Sequence, residues 1–257
     1  MRISPFFIIS LGLSVLVLAF ITLPLAKMVL VTPISALILA FRDGEVIRAI
    51  GLSLFCALVA SVLAFFFGTP LAYILARRKF KGKGLVESIV DLPIVIPHPV
   101  IGIAILSVVG QGTAMGTILS WLGVKIVGTA TGIIAVLTFV GAPFYINAVK
   151  NAFEMVPARL ERAARTMGAS GFMAFFTVTF PLSLRSILSG FLMCSARAIS
   201  EFGAVVVVAY HPMTAPVLIY ERFESFGLKY SQPVAVLLIA VSLSIFIVLR
   251  IITSTKK

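Results

Sequence analysis

Two charged residues, Arg197 and Glu201, lie four positions apart inside an apolar stretch of the chain. In a helix, this spacing places both side chains on one face. Charged groups within a bilayer are costly and usually face the protein interior or water. One hypothesis is that Arg197, together with Ser200, attracts an anion in transit. The alternative is that Arg197 and Glu201 neutralise one another, or bind backbone carbonyls, and hold helices in place. We favour the alternative, because a tightly held anion would be slow to leave.

His98 lies in a second unusual segment, among Pro93, Pro97 and Pro99. Proline removes a backbone donor and breaks helical hydrogen bonding, which is tolerated where a segment is buried in protein or lines a cavity. The segment is therefore either a flexible gate in a pathway or a packing kink in which His98 binds a freed carbonyl. The sequence leaves both interpretations open.

A short stretch between two long apolar segments has the pattern of an amphipathic helix. Four residues fall at i, i+3, i+4 and i+7 on one face: Leu160, Ala163, Ala164 and Met167. Basic residues occupy the other faces: Arg159, Arg162 and Arg165. Glu161 stands four residues before Arg165, a favourable helical pair, while Pro157 suits the first turn and Gly168 the C-terminal end. Such a helix either lies on lipid headgroups or offers its apolar face to a partner outside the bilayer.

The sequence carries none of the patterns that mark common catalytic or metal sites. It has no GxxxxGK[ST] phosphate loop, no HExxH motif, no Cys/His metal spacing and only two histidines. A membrane-embedded enzyme would need clustered acids or histidines, and the apolar segments supply only Asp91, His98 and Glu201. We therefore expect no metal and no cofactor on this chain. An active transporter built this way must take its energy from a partner.

The composition is that of a membrane protein. Hydrophobic residues make up 60% of the 257 positions and charged residues 12%, against roughly 25% charged in a soluble domain. The mean hydropathy of +1.16 fits a chain that mostly spans the bilayer, as a single transmembrane domain over residues 1–257. Cys56 and Cys194 lie in apolar runs and are interpreted as small hydrophobic residues.

Six apolar windows are close to the roughly 20 residues that a helix needs to cross a bilayer. Their ranges are 6–30, 49–75, 89–109, 129–149, 187–210 and 232–252. The fold class is therefore an all-α polytopic membrane protein with six transmembrane helices, of which the third is irregular. The first window could instead be a cleaved signal peptide, but its apolar run is longer than usual and no clear A-x-A site follows.

The distribution of basic residues predicts the orientation of such a chain. Fourteen of its 21 basic residues would lie on one side: Arg2, Arg77, Arg78, Lys79, Lys81, Lys83, Lys150, Arg159, Arg162, Arg165, Arg185, Arg250, Lys256 and Lys257. Because positive charge concentrates in the cytoplasm, we place both termini and the amphipathic helix there, in a multi-pass protein of the cell membrane. Without a third crossing, the first two basic clusters would lie on opposite faces. The net charge of +12 then needs no nucleic-acid partner, since the basic residues are scattered between spans.

The amphipathic stretch resembles the EAA motif of permease subunits of ABC importers. The matching residues are Glu161, Ala163, Ala164, Gly168 and Pro181. The glutamate stands one residue early, with Arg162 in the usual first position, a pattern that the sulfate and molybdate importers tolerate. Residues 196–204, with the sequence ARAISEFGA, are similar to a signature of oxyanion permeases, and segments 92–98 and 67–73 also match that group. Over about residues 50–250, the chain most resembles the archaeal molybdate/tungstate branch of this family.

This resemblance implies a type I ABC importer permease fold and a set of partners. Two copies of the chain would form the pathway, and an extracytoplasmic binding protein would deliver a tetrahedral oxyanion, molybdate or tungstate. Each EAA helix, within a cytoplasmic coupling segment at 157–181, would dock on one of two cassette subunits that use ATP and Mg²⁺. The four residues of the apolar face would form the docking surface, and alternating access would carry the anion inward.

Several alternatives remain open within and outside this class. Sulfate, phosphate or polyamine import competes with molybdate and tungstate, because selectivity in such importers would lie largely in the binding protein. A channel or secondary transporter would need no ATPase. Secondary carriers often contain internal inverted repeats, and none is visible in this sequence.

Overall fold

A computed structural model describes residues 5–253, and it is helical along most of that length. The helices are α1 (Pro5–Val31), α2 (Ile34–Arg42), α3 (Gly44–Arg77), α4 (Lys83–Val95), α5 (His98–Val109), α6 (Ala114–Trp121), α7 (Ala130–Met155), α8 (Ala158–Thr166), α9 (Gly171–Ala174), α10 (Phe180–Ile199), α11 (Gly203–Val208), α12 (Ala215–Phe226) and α13 (Leu228–Thr253). A π-helical turn, Phe175–Thr179, joins α9 to α10. Three basic residues used for the orientation lie outside the described residues: Arg2, Lys256 and Lys257.

Four of the predicted spans correspond to single long helices, namely α1, α3, α7 and α13. Each helix extends beyond the predicted window at one end or both, and each is long and apolar enough to cross a bilayer. The longest is α3, with 34 residues and a length of about 51 Å. It begins where the carboxylate of Asp43 accepts a hydrogen bond from the backbone N–H of Glu45 at 2.8 Å, which satisfies one of the free donors of the first turn.

The third predicted span, 89–109, is two helices rather than one. Helices α4 and α5 are separated by Ile96 and Pro97 and are bent by 115° relative to each other. Pro97 and Pro99 lie at the start of α5, where a missing N–H costs no helical hydrogen bond. The predicted irregularity is confirmed. The pair forms either a broken span or a re-entrant loop, so a third complete crossing stays a prediction.

The fifth span was expected at 187–210, and those bounds are wrong. The apolar helical segment begins at Gly171 and ends at Ile199. It continues past Pro181 because that residue lies in the first turn of α10, directly after the π-helical turn, where an irregular hydrogen-bond pattern already exists. At the other end, Glu201 accepts a hydrogen bond from the Ala204 N–H at 2.9 Å, which starts the short helix α11.

Helices α3 and α7 pack along each other at the centre of the protein, and α10 packs against both. Small residues allow the close approach that membrane helices use in place of a hydrophobic driving force. A Cβ atom added to Gly141 of α7 would lie 2.7 Å from Sγ of Cys194 on α10. Nearby, the hydroxyls of Ser61 and Ser195 form a hydrogen bond of 2.7 Å between α3 and α10. The three helices therefore form a tightly packed unit.

Helix α1 lies outside this packed unit. None of its most apolar window is buried within the protein. Gln232 on α13 donates a hydrogen bond from Nε2 to the carbonyl oxygen of Met28 at 3.0 Å, near the end of α1. The apolar surface of α1 is therefore available to lipid or to another chain.

We expect Gly141→Leu to weaken the packing of α7 against α10, because the new side chain would overlap Cys194. Overpacking of this kind typically costs about 1–3 kcal/mol of unfolding free energy. The matched control is Gly51→Leu on α3, where an added Cβ meets no atom within 4 Å. Thermal unfolding of both variants in detergent measures the difference, and equal melting temperatures would contradict the close contact.

Candidate functional site

The expected amphipathic helix is present as α8. Pro157 caps its N-terminus, and Gly168 follows its end with φ of +94°, a left-handed conformation that glycine adopts without strain. The Ala169 N–H donates to the carbonyl of Ala164, and the Gly168 N–H donates to that of Arg165, both at 3.1 Å. These bonds satisfy carbonyl groups that the last turn would otherwise leave free. The predicted helix and its glycine stop are confirmed.

The faces of α8 differ in part from the predicted docking face. Leu160, Ala163 and Met167 are exposed, and Met167 keeps 83% of its surface accessible. Ala164 is only 8% exposed, because this side of α8 packs against α9 and the π-helical turn. Ala164 therefore belongs to the inner side of the helix, and the surface that a partner can reach consists of the other three residues, with Arg162 beside them.

The helical spacing predicted a pair between Glu161 and Arg165. In the structure, Glu161 instead contacts two side chains of α3. Its Oε1 accepts a hydrogen bond from Nε of Arg77 at 2.9 Å, and its Oε2 accepts one from the hydroxyl of Tyr73 at 2.9 Å. The hydroxyl of Thr179, on the π-helical turn, also donates to Oε1. One carboxylate thus joins α8, the end of α3 and the segment that leads into α10.

This network is nearly closed to water. The side chains of Arg77 and Glu161 are 11% and 12% exposed, and Arg77 also donates from Nη1 to the carbonyl of Val156 at 2.9 Å. Burial raises the pKa of Glu161, but hydrogen bonds from Thr179 and Tyr73 and the charge of Arg77 outweigh it and hold this pKa below its usual range. A lowered carboxylate pKa adds stability at neutral pH that is lost as the pH falls through the folded-state value. The network is therefore strongest with Glu161 ionised.

Sequence reasoning missed the partners of Glu161. The sequence marks Arg77 only as one of the basic residues that predict the orientation, and Tyr73 only as the last residue of the family-like segment 67–73. Because 84 positions separate Arg77 from Glu161, local periodicity carries no signal for their contact.

Arg197 and Glu201 form the ion pair that the helix-holding hypothesis requires. Nη2 of Arg197 donates to Oε2 of Glu201 at 2.7 Å, and the two side chains are 19% and 1% exposed. Nη1 of Arg197 approaches Oγ of Ser200 at 3.4 Å, so the two residues proposed to attract an anion do lie together. The charge of Arg197 is nonetheless largely matched by Glu201. Their roles in transport stay predictions.

His98 joins this pair from α5 instead of binding a freed carbonyl. Its Nδ1 lies 3.2 Å from Oε2 of Glu201, and its Nε2 lies 2.9 Å from Nη2 of Arg197. Gly203 is close by, because a Cβ added there would lie 2.9 Å from Cβ of His98. The break at Ile96 and Pro97 between α4 and α5 therefore meets the break between α10 and α11, beside an open cavity of about 530 Å³.

Two further polar contacts fix α4 against α7. Nδ2 of Asn147 donates to Oδ1 of Asp91 at 2.6 Å, and Nζ of Lys150 donates to Oε1 of Glu87 at 2.9 Å. Asp91, which the sequence offered as an isolated acid within an apolar segment, thus has a partner on a neighbouring helix. We therefore interpret Asp91 as a residue that holds α4 against α7.

The chain matches a known family over most of its length. Residues 68–255 fit the family model described as the binding-protein-dependent transport system inner membrane component. The chain belongs to this family, and it is a permease subunit of an ABC transporter.

Three relatives are similar to this chain over most of its length. The molybdate/tungstate transport system permease protein WtpB of Pyrococcus furiosus is 44% identical over 241 residues, which cover 93% of this chain and 92% of the relative. WtpB of Methanocaldococcus jannaschii is 43% identical over 208 residues, covering 81% and 82%. The probable sulfate transport system permease protein cysT of Zygnema circumcarinatum is 31% identical over 246 residues, covering 90% and 85%.

Solved structures share the fold. A chain of a bacterial ABC transporter involved in the import of the acidic polysaccharide alginate aligns with a TM-score of 0.73 at 18% identity, covering 98% of this chain and 96% of that one. A chain of the MetNI methionine ABC transporter, in an inward-facing conformation, aligns with a TM-score of 0.65 at 21% identity, covering 81% and 94%. The arrangement of helices is therefore that of ABC transporter permeases.

We expect Glu161→Gln to lower the unfolding free energy by about 3 kcal/mol, because it leaves the nearly buried Arg77 without a counter-ion. Chemical unfolding in detergent measures this loss, and Glu224→Gln, which alters an exposed acid on α12, should change little. The double variant Arg77→Gln with Glu161→Gln should lose less than the sum of the two single losses, because the two residues interact directly. If the two single losses of unfolding free energy simply add in the double variant, the direct interaction between Arg77 and Glu161 contributes nothing to stability.

We expect Arg197→Ala to lower the unfolding free energy by about 3–5 kcal/mol, because the Glu201 side chain is only 1% exposed and would lose its counter-ion. Arg197→Lys keeps a positive charge and should retain most of the stability. Thermal unfolding compares the two variants, and an unchanged melting temperature for Arg197→Ala would contradict a helix-holding role. Full transport by a normally assembled Arg197→Lys variant would exclude specific recognition of the anion by the guanidinium.

Proposed function

We propose that this chain is the membrane-spanning subunit of an ATP-driven importer for molybdate and tungstate. The observation that supports this choice of anion is the margin between two groups of relatives. Identity is 42–44% to archaeal permeases named for molybdate and tungstate, and 30–31% to permeases named for sulfate. Sulfate, a tetrahedral dianion of the same kind, is the second candidate.

The proposed assembly contains two copies of this chain, two ATP-binding cassette subunits and an extracytoplasmic binding protein. The exposed face of α8, with Leu160, Ala163 and Met167, would dock on a cassette subunit. Each cassette subunit would use ATP and Mg²⁺, and this chain would bind no cofactor of its own. The orientation follows the basic residues, so that α8 and both termini face the cytoplasm.

The Glu161 network supplies a route by which movement of α8 reaches the spans. Because Glu161 binds Arg77 at the end of α3 and Thr179 in the segment before α10, α8 cannot shift without moving both helices or breaking a buried ion pair. Arg197 lies at the far end of α10 and Glu201 lies just after it, and both contact His98 at the start of α5. Closure of the cassette subunits would thus be transmitted to the broken helices beside the cavity.

The charge balance in that region suits passage better than storage of an anion. Glu201 neutralises much of the attraction that Arg197 would exert, while Arg197 and Ser200 both line the cavity. A weak attraction lets a dianion enter and leave, which transport requires. Tight selection between anions is then the task of the binding protein.

We expect Ala163→Glu to abolish co-purification with the cognate cassette subunit and ATP-dependent uptake of labelled tungstate into proteoliposomes. The new charge would lie on the exposed apolar face of α8, whereas a change at the buried Ala164 would disturb folding. The matched control is Ala114→Glu, at an exposed alanine of α6, which should retain co-purification. Co-purification of Ala163→Glu at wild-type levels would contradict docking through this face.

The same uptake measurement, with the binding protein present, distinguishes the two candidate anions. Unlabelled molybdate should compete with tungstate, and a large excess of sulfate should not. Uptake of labelled sulfate at comparable rates would favour the second candidate. Uptake that needs neither ATP nor a cassette subunit would contradict both and leave a channel or secondary transporter.

A further inference from the structure

A groove lined mainly by phenylalanine rings lies between the end of α3 and the segment that follows α8. Its volume is about 700 Å³. Phe65 and Phe66 of α3 form one wall, and Phe172, Phe176 and Phe180 form the other. The three rings of the second wall follow one another at centroid distances of 4.6 Å and 5.8 Å. Together the walls make a continuous apolar trough, which we call the phenylalanine groove.

Much of this apolar surface is uncovered in the single chain. Phe66, Phe172 and Phe176 keep 63%, 76% and 48% of their surface accessible. The second wall includes the π-helical turn Phe175–Thr179, and such turns occur frequently at functional sites. Because exposure of apolar rings to water is unfavourable, the groove is stable when hydrocarbon covers it.

Two arginines border the phenylalanine groove: Arg78, directly after α3, and Arg165, on α8. Within residues 5–253, neither guanidinium donates a hydrogen bond or forms an ion pair, whereas the adjacent Arg77 is engaged by Glu161. A guanidinium binds phosphate oxygens through paired N–H donors. The groove therefore combines two available anion-binding groups with an apolar trough.

We propose that the phenylalanine groove binds an anionic phospholipid, with the headgroup phosphate on Arg78 and Arg165 and a hydrocarbon chain along the rings. Basic pockets between transmembrane helices on the cytoplasmic side bind anionic headgroups in other membrane proteins. A free inorganic anion would use the arginines alone and leave the rings uncovered. Assignment to the cytoplasmic leaflet rests on the proposed orientation, but binding itself does not.

A lipid in this groove would contact the network that positions α8. Tyr73 lines the groove and donates a hydrogen bond to Glu161, and Arg165 belongs to α8 itself. The lipid would hold α8 against the end of α3 on the membrane side, while Arg77 holds it from within. The position of α8 therefore depends on anionic lipid as well as on the buried ion pair.

The test is native mass spectrometry of the full-length chain, purified with the subunits that co-elute, during titration with phosphatidylglycerol and phosphatidylcholine. The wild type should retain phosphatidylglycerol about tenfold more tightly than phosphatidylcholine, a difference in binding free energy of about 1.4 kcal/mol. The double variant Arg78→Gln with Arg165→Gln should lose this preference, and the double variant Arg78→Lys with Arg165→Lys should keep most of it. Arg185→Gln, at an exposed arginine of α10 outside the groove, is the matched control and should behave as wild type.

A second variant tests the apolar wall. Phe176→Gln should weaken retention of both lipids, and millimolar inorganic phosphate should not displace phosphatidylglycerol from the wild type. The proposal is overturned if the double variant Arg78→Gln with Arg165→Gln keeps the preference, or if Arg185→Gln loses it equally. It is also overturned if Phe176→Gln binds both lipids normally, or if phosphate alone displaces the lipid. A photo-crosslinker at position 172 that attaches to a second copy or to a cassette subunit instead of lipid would also overturn it. None of these readouts involves transport, so they are independent of the proposed function.

Discussion

The buried ion pair between Arg77 and Glu161 is the interaction on which the rest of the arrangement depends. A short helix with three arginines on its outer faces gains little from packing alone, and α8 buries only one of its apolar residues deeply. The carboxylate of Glu161 supplies the missing attachment, because it binds α3 and the segment before α10 at once. Removal from water makes this pair costly to break from one side. It therefore defines where α8 stands relative to the membrane helices.

The same constraint, that a charge removed from water needs a partner, governs the opposite end of α10. There Arg197, Glu201 and His98 gather where two helices are interrupted. Interrupted helices leave backbone groups without helical partners, and membrane proteins tolerate this only inside protein or beside a cavity. Helix α10 thus runs between two polar clusters, one beside α8 and one beside the cavity. Under the proposed function, this geometry would connect the surface that docks on a cassette subunit with the region beside the cavity.

Membrane lipid forms a third part of this arrangement. The phenylalanine groove borders α8, and within residues 5–253 neither of its two arginines has an ion-pair partner. Of the adjacent Arg77 and Arg78, one is buried against an acid and the other borders the groove. The two neighbouring side chains therefore lie in different environments: Arg77 inside the protein, and Arg78 at its boundary with the bilayer.

The sequence by itself determined the helical class, the long apolar helices, the amphipathic α8 with its stop at Gly168, and the irregularity around Pro97. Each of these follows from local rules: periodicity of apolar residues, the permissive backbone of glycine and the missing donor of proline. The tertiary structure decided which charge neutralises which. In the structure, Glu161 binds Arg77, 84 positions away, instead of Arg165. Ala164 faces the interior, and the fifth apolar helical segment begins at Gly171. Such choices depend on contacts between segments far apart in the chain, and local spacing records only which contacts are available within a single helix.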